Sequence, residues 1–374
     1  MSISQIYGDQ FSQVYHGDCR EVAHVVNPNS VQCVITSPPY WIVRAFEGVL
    51  PAVWGGDTTC EHTWTDAPRQ LEERTCTQCG AWFGLLGLES DFHMFVAHIV
   101  ESMQTVWNVL KNDGIVWLNI GDTFITSAKT RYLKFVASKP LTGFKQKDLC
   151  LIPHRVAIAL QDAGWYVRSD IVWSKPNPIP ECRFDRPSRS HDYIFMLTKN
   201  SKYYYDDTDA RDEINYVTQP FRGDKYTNAQ SFHNTIEDLG IPADKSKSEH
   251  VDDQDSEEFS EEESVENFRL ESYTGKEINL YKRSLQSVWN IPIQKTSGSH
   301  LATFPEKLVE KCLLASTKEG DTVLDPFCGS GTTGIVARYY GRRFVGIDAS
   351  LKYANLAIKR IVNQTVPLSL SIQK

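Results

Sequence analysis

Along most of the chain, short continuous apolar runs alternate with apolar stripes at helical spacing. Val31-Gln32-Cys33-Val34-Ile35-Thr36 reads as a buried strand. Phe92, Phe95, Val96, Ile99, Met103, Val106, Trp107 and Leu110 then form a helical stripe behind Ser90 as N-cap. Asn112-Asp113-Gly114 predicts a turn into a strand over 115–120. Pro153 is placed to open another helix, which Gly164 ends, and a strand over 165–173 follows. Further on, Thr303 and Glu306 form a capping box around Pro305, with Leu308, Val309, Cys312 and Leu313 facing inward. A strand over 322–324, a glycine-rich turn, a helix to about Tyr340, a stop at Gly341, a strand over 343–347 and a helix over 351–362 complete the series. Such alternation predicts an α/β fold: a mostly parallel sheet with helices on both faces and ligands at the carboxyl ends of its strands. Two stretches break the pattern, 54–89, rich in Cys, Trp and Gly, and 206–295, polar and irregular.

With 41% hydrophobic and 11% aromatic residues among 374, the chain can bury a proper core, which excludes disordered and fibrous classes. No apolar run approaches the roughly 18 to 20 residues that a membrane span needs, and no signal-peptide pattern opens the chain. A cytoplasmic protein without a membrane partner is expected. Nine cysteines, an odd number, suit reduced thiols and a metal better than a disulfide framework. The net charge of −8 argues, taken globally, against a nucleic-acid partner. Its distribution reverses that inference. Residues 241–272 hold twelve acids against three bases, so the other 342 residues carry one net positive charge. The acidic stretch, centred on 243–271, reads as a solvated, disordered insertion, and a DNA-mimicking or partner-binding segment is the sharper alternative.

Asp325-Pro326-Phe327-Cys328-Gly329-Ser330-Gly331-Thr332-Thr333-Gly334 lies between a predicted strand and helix, and Asp348 ends the next strand. Its last six residues spell the spacing of a dinucleotide-binding turn. Asp325, however, places a carboxylate where a pyrophosphate would be repelled and a cationic amino group attracted. No Lys follows the second glycine, which excludes a P-loop. S-adenosylmethionine fits the residue types, with its ammonium near Asp325, its backbone passing Gly329 and Gly331, and its ribose hydroxyls on Asp348. A dinucleotide and a purely structural turn remain open on these residues alone.

Thr36-Ser37-Pro38-Pro39-Tyr40-Trp41 follows the first buried strand directly. The exocyclic amine of cytosine or adenine is a poor nucleophile, because its lone pair is delocalised into the ring. The Ser37 hydroxyl and the Pro38 carbonyl can accept its N–H bonds, and neither proline offers a competing N–H. Tyr40 supplies a face for stacking the base. Methyl transfer from a sulfonium then needs alignment and charge stabilisation and no covalent cysteine. A rigid turn with ordinary aromatic packing is the bland alternative.

Together, TSPPYW and DPFCGSGTT resemble the catalytic and cofactor motifs of DNA amino-methyltransferases, and their order, catalytic first, is that of the β-group. GDCREV (17–22), DGIVWLNIGDTF (113–124), VWSKPNPIPE (172–181), RSHDYIFMLTKNSKYYYD (189–206), HLATFPEKLVE (300–310), FVGID (344–348) and YANLAIKRI (353–361) are similar to further motifs of that group. The resemblance implies a Rossmann-like methyltransferase sheet in circularly permuted order and dependence on S-adenosylmethionine. It assigns Asp325, Phe327, Gly329, Gly331 and Asp348 to the cofactor, with Thr36, Thr303 and Phe304 beside them. Ser37, Pro38, Pro39 and Tyr40 are assigned to the target base. Asp348 stands where Glu is more usual, and either residue can hold a ribose diol. In the family SPPY accompanies cytosine N4, and an Asp or Asn in place of the serine accompanies adenine N6, so N4-cytosine is expected and N6-adenine is the alternative. The base must be flipped out of the duplex in either case.

Cys60, His62, Cys76 and Cys79 have the spacing of a closed structural zinc site, and unligated loop thiols are the alternative. Lys175, Arg186, Arg189 and His191 flank the Lys175–Pro180 loop and suit phosphate contacts; a solvated surface is the bland reading. Residues 1–53 and 90–205 are expected to form the catalytic half, 54–89 a zinc-knuckle-like insertion, 206–295 the target-recognition region and 296–374 the cofactor half. Double-stranded DNA is the expected partner, with a cognate restriction endonuclease possible in the same system and a monomer or homodimer as the assembly. The rivals from other classes are a non-catalytic zinc-containing DNA-binding protein and an oxidoreductase.

Overall fold

Val31–Thr36 is buried at all six positions, as its unbroken apolar run requires, and lies at the middle of the main sheet. The computed structural model describes residues 3–43, 48–65, 74–126, 144–181, 184–210, 285–294 and 304–364, together with the backbone of 212–213 and 282–283. In chain order the strands are β1 (Ser4–Gly8), β2 (Ser12–His16), β3 (Val31–Thr36), β4 (Ala52–Trp54), β5 (Arg74–Thr75), β6 (Trp82–Gly84), β7 (Leu110–Ile120), β8 (Tyr166–Ser174), β9 (His191–Thr198), β10 (Asp212–Glu213), β11 (Lys282–Arg283), β12 (Val288–Asn290), β13 (Thr322–Asp325) and β14 (Arg343–Asp348). The helices are α1 (Phe92–Val109), α2 (Ile152–Asp162), α3 (Glu306–Ser316), α4 (Thr332–Tyr339) and α5 (Leu351–Val362).

Among the described residues nine strands form one sheet in the order β1-β2-β14-β13-β3-β7-β9-β8-β12. Strands β2, β14, β13, β3 and β7 run parallel, while β9 is antiparallel to both β7 and β8. Alternate side chains of each strand feed the two faces. Val34, Val116 and Leu118 pack with α1 and α2, whereas Cys33, Ile35 and Trp117 pack with α3, α4 and α5. The expected mixed α/β fold with a largely parallel sheet is therefore present. Because β13 pairs directly with β3, through Val323 opposite Cys33 and Leu324 opposite Val34, the turns leaving these two strands emerge side by side.

The chain divides into two compact units, Met1–Arg211 with Ser284–Lys374, and Asp212–Arg283. The first holds the main sheet and a small antiparallel sheet ordered β4-β6-β5. In the second, the described part is the antiparallel pair β10–β11. The acidic stretch lies outside the described residues. No helix among them is long and apolar enough to cross a membrane.

Three local expectations change. The N-cap of α1 is Asp91, whose carboxylate accepts from His93 N at 2.8 Å, and not Ser90. Asn112-Asp113-Gly114 does not separate α1 from β7, because β7 starts at Leu110 and the extra residues loop out where two steps on β3 face five on β7. Helix α3 starts from Pro305 without a side-chain cap, and Thr303 lies outside the described residues.

The start of α4 depends on Gly331, which has φ 79° and whose backbone presses on α5. A Cβ there would stand 2.8 Å from Ala357 Cβ and 2.9 Å from Ala357 Cα. Gly331→Ala is therefore expected to lower unfolding free energy by about 2 kcal/mol or more in a denaturant titration, since strain and overlap act together. A loss below a few tenths would show that α4 and α5 shift apart freely.

Candidate active site

The turn after β3 and the turn after β13 are joined by one buried carboxylate. Asp325 is 1% exposed. Its Oδ1 accepts from Thr36 Oγ1 at 2.7 Å and from Phe327 N at 3.2 Å, and its Oδ2 from Thr333 Oγ1 at 2.8 Å. Burial pushes its pKa up to about 6, partly opposed by these hydrogen bonds. The next strand ends on a second such group. Asp348 accepts from Gly329 N and Ser350 N, each at 2.8 Å, and burial raises it to about 6 as well. Arg360 closes the glycine turn from α5, its Nη1 donating to Ser330 O at 2.8 Å and to Ser330 Oγ at 2.7 Å.

A cavity of about 480 Å³ opens at the carboxyl ends of the strands, within the range of small-molecule sites. Ser37, Pro38, Pro39 and Tyr40 line one side, and Phe304, Phe327, Gly329 and Asp348 line the other. The tetrad and four of the eight expected cofactor contacts thus meet in one cavity. Asp325, Thr36 and Gly331 do not line it. Asp325 has its charge turned inward onto two hydroxyls and an amide, which corrects the expectation that it faces a cationic amine. Thr36 is the partner that holds it there, and Gly331 is spent on packing against Ala357. Asp18, Asn119, Lys175, Asp192 and Tyr353 also line the cavity. They went unassigned as site residues, except Lys175, although the motif segments 17–22, 113–124 and 189–206 contain three of them.

Within the cavity the donors run in one direction. Asn119 Nδ2 donates to Ser37 Oγ at 3.5 Å, Ser37 to Tyr40 Oη at 3.5 Å, and Tyr40 to Asp192 Oδ2 at 3.4 Å. Lys175 pairs with the same Asp192 oxygen. Burial and the adjacent Asp192 hold the Tyr40 hydroxyl well above its usual pKa. Asn119 is 4% exposed and its Oδ1 is buried without a partner, an arrangement that favours an incoming donor. Gly121 lets the Tyr40 ring lie on the β7 exit, since a Cβ there would stand 2.3 Å from Cε2. Just beyond the tetrad, Trp41 is buried with Nε1 donating to Glu89 O at 2.9 Å. Ile42 holds φ 55°, costly for a β-branched residue. Its buried side chain and the 2.7 Å bond from its N to Gly87 O keep it there.

The expected DNA-contacting cations are committed within the chain. Lys175 is paired as above. Arg186 lies 3.6 Å from the Phe124 ring centroid and 2.8 Å from Glu181. Arg189 donates to His191 O at 3.0 Å and pairs with Asp122 at 3.6 Å. Burial, then Arg189, lower the His191 pKa.

Cys60, His62, Cys76 and Cys79, from the loops of the small sheet, bring their ligand atoms within 4.8 Å of one another. Cys60 Sγ lies 3.9 Å from Cys76 Sγ, and Cys79 Sγ lies 3.4 Å from His62 Nδ1. A tetrahedral zinc with bonds of about 2.3 Å to sulfur and 2.0 Å to nitrogen would separate its donors by roughly 3.5 to 3.8 Å, so the set fits. The small sheet is tied to α1 through His98, which sits between Trp54 and Trp82 and bonds fully buried Glu89 at 2.8 Å.

A family model described as DNA methylase matches residues 31–359. The chain is 33% identical over 358 residues to the type II methyltransferase M.Cfr9I of Citrobacter freundii, covering 93% of this chain and 87% of that one. It is 34% identical over 363 residues to the type II methyltransferase M.XycI of Xanthomonas campestris pv. cyanopsidis, covering 94% and 88%. Among solved structures, PvuII DNA methyltransferase (cytosine-N4-specific) aligns with a TM-score of 0.53 at 17% identity, over 96% of this chain and 89% of that one, a likeness of fold.

The raised Asp325 pKa sets a pH dependence. In the unfolded chain the carboxyl has its ordinary value of 3.8, and in the folded protein about 6, so the folded state binds the extra proton. Its stabilisation is full below pH 4 and is lost as pH rises through 6. Relative to Asp325→Asn, the unaltered protein should lose up to about 3 kcal/mol between pH 4 and 7.5 in paired denaturant titrations. A difference that does not vary with pH would mean that Asp325 titrates normally.

Proposed function

This chain belongs to the DNA methylase family, and from that premise we propose that it methylates the exocyclic N4 of cytosine in duplex DNA using S-adenosylmethionine. The observation that carries the reading is the meeting, in one cavity, of the Ser37–Tyr40 turn with the Phe327–Gly329 turn and Asp348. S-adenosylmethionine, when bound, supplies an electrophilic methyl group on a sulfonium. Asp348 retains lone pairs suited to a ribose diol beside its two amide bonds. Phe327 and Phe304 offer apolar walls, and Asp18, held by Arg20 through Oδ1 at 3.0 Å and Oδ2 at 2.6 Å, still presents a carboxylate on the cavity wall for the amino group.

The target amine needs acceptors for both its N–H bonds as its nitrogen becomes tetrahedral. Ser37 Oγ and the Pro38 carbonyl supply them. The donor chain from Asn119 through Ser37 and Tyr40 to Asp192 turns each hydroxyl proton away from the amine, which leaves a Ser37 lone pair for it. Tyr40 provides the stacking face. Serine at position 37, where an Asp or Asn accompanies adenine in the family, favours cytosine.

The curated relatives are named type II methyltransferases, which supports a modifying role beside a cognate endonuclease. The donor set of Cys60, His62, Cys76 and Cys79 supports one structural zinc, closed to catalysis because four protein ligands fill it. Residues 54–89 then form a metal-held module, and 206–295 the target-recognition region.

Incubating the protein with labelled cofactor and mixed-sequence duplex DNA should yield N4-methylcytosine by nucleoside mass spectrometry. N6-methyladenine alone would overturn the choice of base, and no methylated base would overturn the activity. Ser37→Ala should cut turnover by about 100-fold or more while changing cofactor affinity less than about two-fold; equal losses would remove Ser37 from the target-base site. Elemental analysis should find about one zinc per chain, lost in Cys79→Ser. A metal-free protein with unchanged near-ultraviolet circular dichroism would refute the zinc site.

A further inference from the structure

The described residues of the β8–β9 connection are braced at several points. Lys175 N donates to Ser190 O at 2.7 Å where the two strands part. Asn177 grips Ile293 from both sides, donating to its O at 3.1 Å and accepting from its N at 2.8 Å. Lys147 pairs with Asp185 at 2.7 Å and Arg186 with Glu181 at 2.8 Å. Pro176, Pro178, Pro180 and Pro187 fix φ along the loop. Such a loop does not collapse onto its own apolar side chains, yet it presents two large ones to solvent. Ile179 is 67% exposed and Phe184 wholly so. Ile179 also lines the cavity of Ser37 and Tyr40, so the exposed apolar surface continues from the active site to the outside.

We propose that Ile179 and Phe184 form an apolar wedge that enters the DNA duplex beside the target base and fills the space that the base leaves on turning into the cavity. The proposal rests on the DNA methylase reading and names how the same site obtains its substrate. Ile179 both lines the cavity that would take the base and is 67% exposed to solvent. The departure of the base unstacks its neighbours, and a side chain inserted there restores contact with them. A braced loop suits the task because little freedom is lost on insertion. Polar or charged tips would serve phosphate contact instead, and Lys175, Arg186 and Arg189, the cations among the loop's described residues, are paired within the chain.

The test compares two duplexes carrying the site identified by product mapping, one paired normally and one with an abasic position opposite the target. Single-turnover methylation of the paired duplex by Phe184→Ala and by Ile179→Ala should fall about ten-fold or more, and the abasic partner should restore the rate to within about three-fold of the unaltered protein, because an unpaired base turns out at little cost. Phe184→Trp should retain most of the rate on the paired duplex. Cofactor affinity should not change, and 2-aminopurine at the target position should brighten less with the alanine variants. An equal loss on both duplexes, or no loss on the paired one, overturns the wedge. Methyl transfer to neither duplex by the unaltered protein would instead defeat the parent reading.

Discussion

A buried carboxylate at the seam of two parallel strands organises this molecule. Asp325 is the last residue of β13, and it ties Thr36, the last residue of β3, to Thr333 in α4 and to the amide of Phe327. In a low-dielectric interior each of these bonds is strengthened, and each would be costly to leave unmade. The tie spans 289 residues of sequence and sets the position from which Ser37 on one side and Gly329 on the other begin. Everything else in the site is built outward from it. The glycine turn places its amide on Asp348, α5 holds that turn through Arg360, and β7 and β9 deliver Asn119 and Asp192 to the same edge.

Much of this was legible in the residues. β3 and α5 fall where periodicity puts them, because each is a single unambiguous pattern: an apolar run and an amphipathic stripe. The four metal-type ligands also meet as their spacing implies, since a CxxC turn and a CxH turn need only one short sheet to face each other. Asp325 was misread for a physical reason. Its charge argued for a cationic ligand, but the hydroxyls that claim it come from Thr36 and Thr333, and partners at that separation leave no local signature. The cations of the β8–β9 connection likewise have partners that no local signature announces. Arg189 pairs with Asp122 and Lys175 with Asp192, groups that composition alone cannot match to them. Asn119 and Asp18 lay inside motif segments without being distinguished from their neighbours, because burial and orientation are tertiary facts.

The small sheet bears on the site through packing rather than through its ligands. His98 of α1 lies between Trp54 and Trp82, and Glu89 behind it receives the Trp41 indole on its backbone carbonyl. Burial raises the Glu89 carboxyl, although His98 opposes the shift. The residue after Trp41, Ile42, keeps a backbone conformation it would not choose in isolation. The small sheet, a buried acid–histidine pair and a strained residue thus stand in series behind the Ser37–Tyr40 turn.

Acceptors matched to a primary amine also sort product from substrate. On the proposed chemistry a methylated base keeps one N–H where it had two, so Ser37 Oγ and the Pro38 carbonyl face one donor fewer. An acceptor left dry and unpaired costs about 1 to 3 kcal/mol, and the added methyl group competes for the same space. On the proposed chemistry, a finished site is expelled by the same groups that prepared it, and a duplex already marked is passed over in favour of one that is not.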